Sequence, residues 1–167
     1  MIDEKLVNYE QMLNINNDLI KQHQKRVLVH GVFDILHKGH VQLFAEAKKL
    51  GDILLVGLEP DDNVKALKGP TRPIHHQAER AYVLSYLEPI DYIFLIPSYH
   101  NQDLPDEFYR NIYRALRPDI VASCLTAGKF SPSKQKNALE LNIEFININS
   151  LYEKNTTKVI ELLSSQR

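Results

Sequence analysis

Two histidines three positions apart end a segment whose residue types suit the binding of a phosphate group. The segment reads GVFDILHKGH over residues 31–40. If a helix begins near Gly39, His37 and His40 can face one ligand, and each imidazole can donate a hydrogen bond without a permanent charge. The first N–H groups of such a helix are free and attract anions. The segment therefore indicates a phosphate site, provided that a strand precedes it and a helix follows.

Predicted strands and helices alternate along the surrounding sequence. Short apolar segments rich in Val, Ile and Leu predict five strands at residues 26–30, 52–58, 91–96, 119–123 and 143–148. Helical patterns predict helices at residues 39–50, 77–87, 105–116, 134–141 and about 156–163. This alternation is typical of an α/β fold with a doubly wound parallel sheet, which binds ligands beyond the carboxyl ends of its strands.

An additional amphipathic helix is predicted over residues 3–19, where Leu6, Tyr9 and Leu13 recur at helical spacing. We expect it to pack on the domain or on a partner chain. The chain thus divides into a helical extension, residues 1–25, and one domain over residues 26–167. Residues 68–73 contain a Gly-Pro and an Arg-Pro pair and are predicted as a loop.

The composition excludes several classes of protein. In 167 residues, 20 Lys and Arg against 21 Asp and Glu give a net charge of −1, so no general field attracts nucleic acid or an anionic membrane. The amino terminus does not have the pattern of a signal peptide, and no apolar run approaches the length of a membrane span. The single cysteine, Cys124, excludes an intramolecular disulfide and fits a reducing, cytoplasmic location.

The GxFDxLHxGH string resembles the signature of the cytidylyltransferase-like nucleotidyltransferases, which are related to class I aminoacyl-tRNA synthetases. Residues 48–52 resemble the helix end and second strand of this family, and residues 64–74, VKALKGPTRPI, are similar to the adenylyltransferase domains of ADP-heptose synthases. Residues 155–158, NTTK, stand where this family has an ISTT-type motif. The resemblance implies a Rossmann-like fold of the nucleotidyltransferase type and a homodimer.

The resemblance also implies a reaction and its residues. A phosphorylated sugar or polyol would attack the α-phosphorus of ATP or CTP and release pyrophosphate, with magnesium brought by the nucleotide and no metal ligands from the protein. The expected catalytic residues are His37, His40, Lys48 and Arg80. The expected nucleotide-binding residues are Gly31, Val32, Phe33, Gly39, Asn155, Thr156 and Thr157. The expected residues for the acceptor and its phosphate are Lys65, Lys68, Arg72 and Lys129.

Several of these residues have plainer interpretations. The cations between residues 65 and 80 could form a solvated helix face, and Asn155 could simply cap a helix. Asp34 is expected to cap its turn rather than to bind a metal, and no role is assigned to His75 and His76. Two histidines alone do not make a metal site, because a third and a fourth ligand are needed.

The sequence is also compatible with two other functions. Residues 122–130, ASCLTAGKF, lack the acidic residue of the heptose-type loop, so a cytidylyltransferase for a polyol phosphate is the nearest alternative. A nucleotide-binding module without catalysis is the alternative from another class, since this loop is altered and Asn155 replaces the serine of the ISTT-type motif.

Overall fold

Six parallel strands form one sheet in a computed structural model, which describes residues 2–98, 105–124 and 131–149. The strands are β1 Leu6–Val7, β2 Arg26–Gly31, β3 Ile53–Leu58, β4 Tyr92–Leu95, β5 Ile120–Ser123 and β6 Glu144–Asn147. The helices are α1 Ile2–Lys5, α2 Tyr9–Lys21, α3 Lys38–Lys48, α4 Asp61–Lys68, α5 Gln77–Ser85, α6 Pro105–Leu116 and α7 Ser131–Glu140. The order in the sheet is β1-β4-β3-β2-β5-β6, so the connections reverse direction between β2 and β5. This reversal places a crevice at the carboxyl ends of the two central strands.

The central strands are apolar because both faces of the sheet are covered. Val27 and Val29 of β2 pack on one face with residues of α3 and α5, while Leu28 packs on the other with α2, α6 and α7. These three side chains are at most 1% exposed. The two layers of helices therefore fix the direction in which β2 delivers the chain to residues 31–40.

The five predicted strands and the Rossmann-like arrangement are confirmed, but the strand count is corrected from five to six. Leu6 and Val7 pair with Ile93 and Phe94 at the edge of the sheet. A strand of two residues has too short a pattern to be distinguished in sequence from the helix predicted over residues 3–19.

The helix predicted for this opening segment is divided by β1 into α1 and α2, and Asn8 marks the start of the second helix. The Asn8 side chain accepts a hydrogen bond from the Gln11 backbone N–H, and the Gln11 side chain accepts one from the Asn8 N–H, each at 2.8 Å. This capping box starts α2 at Tyr9. Met12 and Leu19 of α2 lie in the core against the sheet, so the segment packs on the domain.

A second difference is α4, which the sequence analysis did not predict. Asp61–Lys68 is only eight residues long and lies directly after β3. Gly69 ends it at φ 97°, a conformation that glycine adopts without strain. Residues 69–73 then form the predicted loop. In the described part of the chain, no helix combines the length and apolarity that crossing a membrane requires.

A buried polar contact attaches α2 to the sheet and to α6. The Asn16 side chain donates to the Leu116 carbonyl at 2.9 Å and accepts from Arg26 Nη1 at 3.0 Å. Arg26 also pairs with Asp119, which precedes β5. The segment before residue 26 is thereby connected to the central strand through hydrogen bonds as well as through apolar packing.

We expect Asn16→Ala to lower the free energy of unfolding by about 1–3 kcal/mol, because a buried Arg26 N–H and the Leu116 carbonyl each lose a partner. Asn17→Ala on the exposed side of α2 is the matched control and should change stability by less than about 0.5 kcal/mol. Urea unfolding of both variants measures the difference. Equal stability of the two variants would contradict the proposed attachment.

Candidate active site

The turn after β2 is built around the ring of Phe33. Phe33 has a positive φ of 47°, and its ring lies over Gly31, where an added Cβ would come within 3.1 Å of the ring. The same ring meets His40 edge-on at a centroid distance of 5.4 Å and Phe44 at 5.0 Å. The space that Gly31 leaves open is thus filled by the Phe33 ring. The buried Phe33 side chain supports His40 from behind.

His37 and His40 lie together at the start of α3. Their rings stack with centroids 3.8 Å apart and planes inclined by 22°. His37 is the amino-terminal cap of the helix, and its Nδ1 accepts a hydrogen bond from the Gly39 backbone N–H at 3.1 Å. Because Nδ1 is an acceptor, a neutral His37 carries its proton on Nε2. The Nε2–H group is then the hydrogen-bond donor of this ring.

Both imidazoles are neutral at neutral pH. Desolvation, and then the charges of His37 and Lys68, lowers the pKa of His40 to about 3. Desolvation also lowers the pKa of His37. The buried His40 Nδ1 has no hydrogen-bond partner among the described residues. A stacked neutral pair of this kind can donate hydrogen bonds to a polyanion without the repulsion that two imidazolium ions would have.

Asp34 fixes the loop after α4 against the turn after β2. Its carboxylate accepts hydrogen bonds from the backbone N–H groups of Ile74 and His75, each at 2.9 Å, and pairs with Arg72 Nη2 at 2.9 Å. Burial opposes ionisation of Asp34, but these donors outweigh it and hold the pKa below its usual range. Asp34 therefore has the structural role expected of it, although it binds the segment 72–75 rather than its own turn.

Arg72 and Lys68 carry positive charge into the same region. Arg72 is 9% exposed, and its Nε has no hydrogen-bond partner among the described residues. Desolvation, followed by the charge of Arg72, lowers the pKa of the Lys68 amine. The two residues bracket the loop, and Arg72 keeps a buried donor that a bound anion could use.

Lys65 is not brought to this cluster. It lies on the exposed side of α4, and its amine stands 3.7 Å from Asp62, with both side chains more than half exposed. The alternative of a solvated helix face thus describes Lys65. Lys68, three residues on, is also exposed, but its amine interacts electrostatically with Arg72 and Asp34. The described contacts do not support the expected role of Lys65 in binding the acceptor.

Arg80 is buried and is occupied by the protein itself. Its guanidinium donates to the carbonyls of Val32, Glu59 and His75 and to the carboxylate of Asp61. Four of its five N–H groups are therefore used. The expectation of a catalytic Arg80 is corrected: it holds the turns after β2 and β3 together from beneath the site.

The expected catalytic role of Lys48 is also corrected, because the structure places this residue at the opposite end of the domain. It ends α3, an 11-residue helix, and so lies about 15 Å along the axis from the histidines. Its amine pairs with Asp91 at 2.6 Å and donates to the Asp52 carbonyl, at the amino ends of β4 and β3. Lys48 therefore fixes α3 to the sheet.

A buried polar cluster beside the crevice was missed by the sequence analysis. His30 Nε2 lies 2.7 Å from the Tyr113 hydroxyl, and Tyr109 donates to Glu59 at 2.9 Å. Lys134 of α7 donates to the His30 carbonyl. One signal was available in the sequence: His30 and Glu59 are ionisable residues at the carboxyl ends of otherwise apolar strands.

Four predicted residues, Lys129, Asn155, Thr156 and Thr157, lie outside the described residues, and their roles stay predictions. Within residues 2–98, 105–124 and 131–149, no three His, Cys, Asp or Glu side chains converge to hold a metal ion.

The chain is similar to proteins of one family over most of its length. Residues 28–160 match the cytidylyltransferase-like family. Bifunctional protein HldE of a Nitratiruptor species is 36% identical over 98% of this chain and 33% of its own length. Bifunctional protein HldE of Helicobacter hepaticus is 34% identical over 99% of this chain and 32% of its own length. The chain therefore spans about one third of these relatives.

Solved structures agree with this similarity. The lipopolysaccharide core biosynthesis protein of Thermoplasma volcanium is 30% identical, with a TM-score of 0.60 over 77% of this chain and 99% of the other. Pantoate-beta-alanine ligase of Francisella tularensis is 18% identical, with a TM-score of 0.65 over 88% of this chain and 67% of the other. At this identity, the similarity to the ligase indicates a shared fold only.

Stability should fall as the pH is lowered from 7 to 5. His40 and His30 stay neutral in the folded protein but bind protons near pH 6.5 in the unfolded chain. Desolvation, followed by the charge of Lys134, lowers the pKa of His30 in the folded protein to about 4. The unfolded chain binds more protons than the folded protein throughout this pH range. Acidification can therefore lower the free energy of unfolding by up to about 2 kcal/mol for each of the two histidines. Because His40 is partly exposed, we expect the larger share from His30.

Urea unfolding at pH 7 and pH 5 of wild type, His30→Asn and the exposed control His23→Asn measures this effect. His30→Asn should have the shallower pH dependence, and His23→Asn should follow wild type. A wild-type slope in His30→Asn would contradict the neutral state of His30.

Proposed function

Since this chain belongs to the cytidylyltransferase-like family and is a nucleotidyltransferase, we propose that it transfers AMP or CMP to a small phosphorylated sugar or polyol. The observation that carries this proposal is the stacked pair His37 and His40 at the first turn of α3, beyond the carboxyl end of β2. Ligands of doubly wound sheets bind at this place.

Heptose 1-phosphate and ATP are the preferred substrates in this proposal. The similarity to HldE proteins over nearly the whole chain supports them, as do residues 64–74, which resemble the adenylyltransferase domains of ADP-heptose synthases. CTP with a polyol phosphate is the second candidate, because residues 122–130 depart from the heptose-type loop.

His37 and His40 bind the triphosphate in this mechanism. The Nε2–H group of His37, on the side of the ring away from the helix cap, donates to a phosphate oxygen, and the imidazole of His40, stacked beside it, donates to a second one. As the bond to the α-phosphorus breaks, negative charge grows on the leaving pyrophosphate. Donors that are already in place stabilise this charge more in the transition state than in the bound nucleotide.

The reaction itself needs no proton transfer from the protein. A phosphate oxygen of the acceptor forms a bond to the α-phosphorus, and the bond from that phosphorus to the bridging oxygen breaks and releases pyrophosphate. The acceptor oxygen is already ionised at neutral pH, so the protein contributes position and charge. Neutral histidines suffice for this role.

The remaining polar residues orient the substrates. Arg72, whose buried Nε has no partner in the described part of the chain, and the Lys68 amine would bind the acceptor phosphate. Asp34 and Arg80 would position the loops that carry them. Magnesium would enter with the triphosphate and neutralise part of its charge. A homodimer and a cytoplasmic location stay predictions, and light scattering measures the first.

Pyrophosphate release tests the proposed function directly. ATP and CTP, each with magnesium, are combined with heptose 1-phosphate, glycerol 3-phosphate and related sugar and polyol phosphates. Release with ATP and heptose 1-phosphate supports the preferred pair, and release with CTP and a polyol phosphate supports the second. A nucleotide that raises the melting temperature without release from any pair would instead identify a non-catalytic nucleotide-binding module.

We expect His40→Ala to lower kcat by ~10²- to 10³-fold, because a preorganised donor to the leaving group is lost. Val41→Ala is the matched control, since Val41 is exposed on the next position of α3, and its kcat should stay within about twofold. Melting temperatures measured in parallel show that both variants are folded. Full pyrophosphate release by His40→Ala would contradict the role of His40.

A further inference from the structure

β2 and β5 separate before they reach the carboxyl edge of the sheet. Their pairing extends only to Leu28 and Val121, whereas β2 and β3 stay paired as far as Gly31 and Leu58. The Gly31 carbonyl accepts from the Glu59 N–H on the β3 side. Because successive carbonyls of a strand point to opposite sides, the His30 carbonyl points into the gap toward β5.

The ammonium group of Lys134 lies in this gap. It donates to the His30 carbonyl across 104 positions of sequence. Lys134 is held there because α7 is attached to α6: the Asn137 side chain donates to the Asp106 carbonyl at 2.9 Å, and Arg110 pairs with Glu140 at 2.8 Å. An ammonium group has three N–H donors, and the described contacts use one of them.

The charges around Lys134 are mixed. Desolvation is the main cause that lowers the Lys134 pKa to about 8, with Glu59 opposing and Lys68 adding to the shift. Lys68 also lowers the pKa of His40. Lys68 is thus electrostatically coupled both to His40 and to Lys134, and a phosphate bound near the two lysines would relieve their repulsion.

We expect the nucleotide and the acceptor to lie on opposite sides of the sheet. α3, which carries His37 and His40, packs on the face formed by Val27 and Val29, whereas α7 packs on the opposite face. In phosphoryl transfer the attacking and leaving oxygens lie roughly in line on opposite sides of the phosphorus. If the histidines bind the leaving pyrophosphate, the acceptor approaches from the side of α7.

We propose that Lys134 binds the phosphate group of the acceptor, as a further substrate-positioning residue in the gap between β2 and β5. This inference rests on the proposed function for the identity of the acceptor. The inference is supported by the position of the ammonium group, by its hydrogen bond to the His30 carbonyl and by its remaining N–H donors. Lys134 would then keep its contact with His30 and donate its other N–H groups to the phosphate oxygens.

The first test compares Lys134→Met with Lys136→Met. Lys136 lies on the same helix, is exposed and pairs loosely with Glu140 at 3.9 Å. We expect Lys134→Met to raise KM for the acceptor about 10- to 100-fold, as loss of a hydrogen bond between charged groups does, with KM for the nucleotide within about twofold. Lys136→Met should leave both constants unchanged. An equal rise in both KM values, or no rise in either, would overturn the proposal.

The second test uses wild-type protein and needs neither turnover nor a folded variant. Lysines are acetylated at limiting reagent with and without inorganic phosphate, and peptides are quantified by mass spectrometry. Phosphate should slow modification of Lys134 severalfold and leave Lys136 unaffected, whereas no protection of Lys134 would overturn the proposal. Absence of pyrophosphate release with every acceptor would contradict the proposed function alone, since phosphate protection still decides the assignment of Lys134.

Discussion

The buried guanidinium of Arg80 is the contact on which the site depends. It lies under the two turns that leave β2 and β3 and donates to the Val32 and Glu59 carbonyls. These turns face the crevice and cannot pair with a neighbouring strand, so a single polar group that satisfies both keeps them at a fixed separation. Asp61 balances the charge at 2.7 Å.

On this base, the sequence between β2 and α3 presents two neutral imidazoles to the crevice. Phe33 supports His40 from behind, and the Gly39 N–H fixes the tautomer of His37. Desolvation keeps both rings uncharged, so the site can receive a triphosphate without first losing protons. The positive charge comes instead from Lys68 and Arg72, on a loop that Asp34 holds in place. The hydrogen-bond donors thus lie at the start of α3 and the positive charges in and after α4, and the two segments meet at the carboxyl edge of the sheet.

The sequence predicted the elements better than the roles of their charged residues. Apolar runs flanked by turns predict strands covered on both faces, and β2, β3 and β5, which are almost wholly buried, fit this pattern best. The five predicted strands correspond to β2 to β6. The HxGH spacing likewise predicts that His37 and His40 meet, since both lie on one helix turn. Roles for Lys48 and Arg80 could not be predicted, because each depends on acceptors far along the chain, Asp91 and the Val32 carbonyl. Leu6 and Val7 were missed because two residues form no periodic pattern.

The binding of a triphosphate by the paired histidines can be observed through their ring nitrogens. Protein labelled with ¹⁵N-histidine is titrated with magnesium and a non-hydrolysable ATP analogue, and the imidazole signals are followed by NMR at neutral pH. Binding of the triphosphate by this pair should move the Nε2 signals of both His37 and His40, while those of the exposed His23 and His76 stay in place. Saturation by the analogue with the His37 and His40 signals unchanged would contradict it.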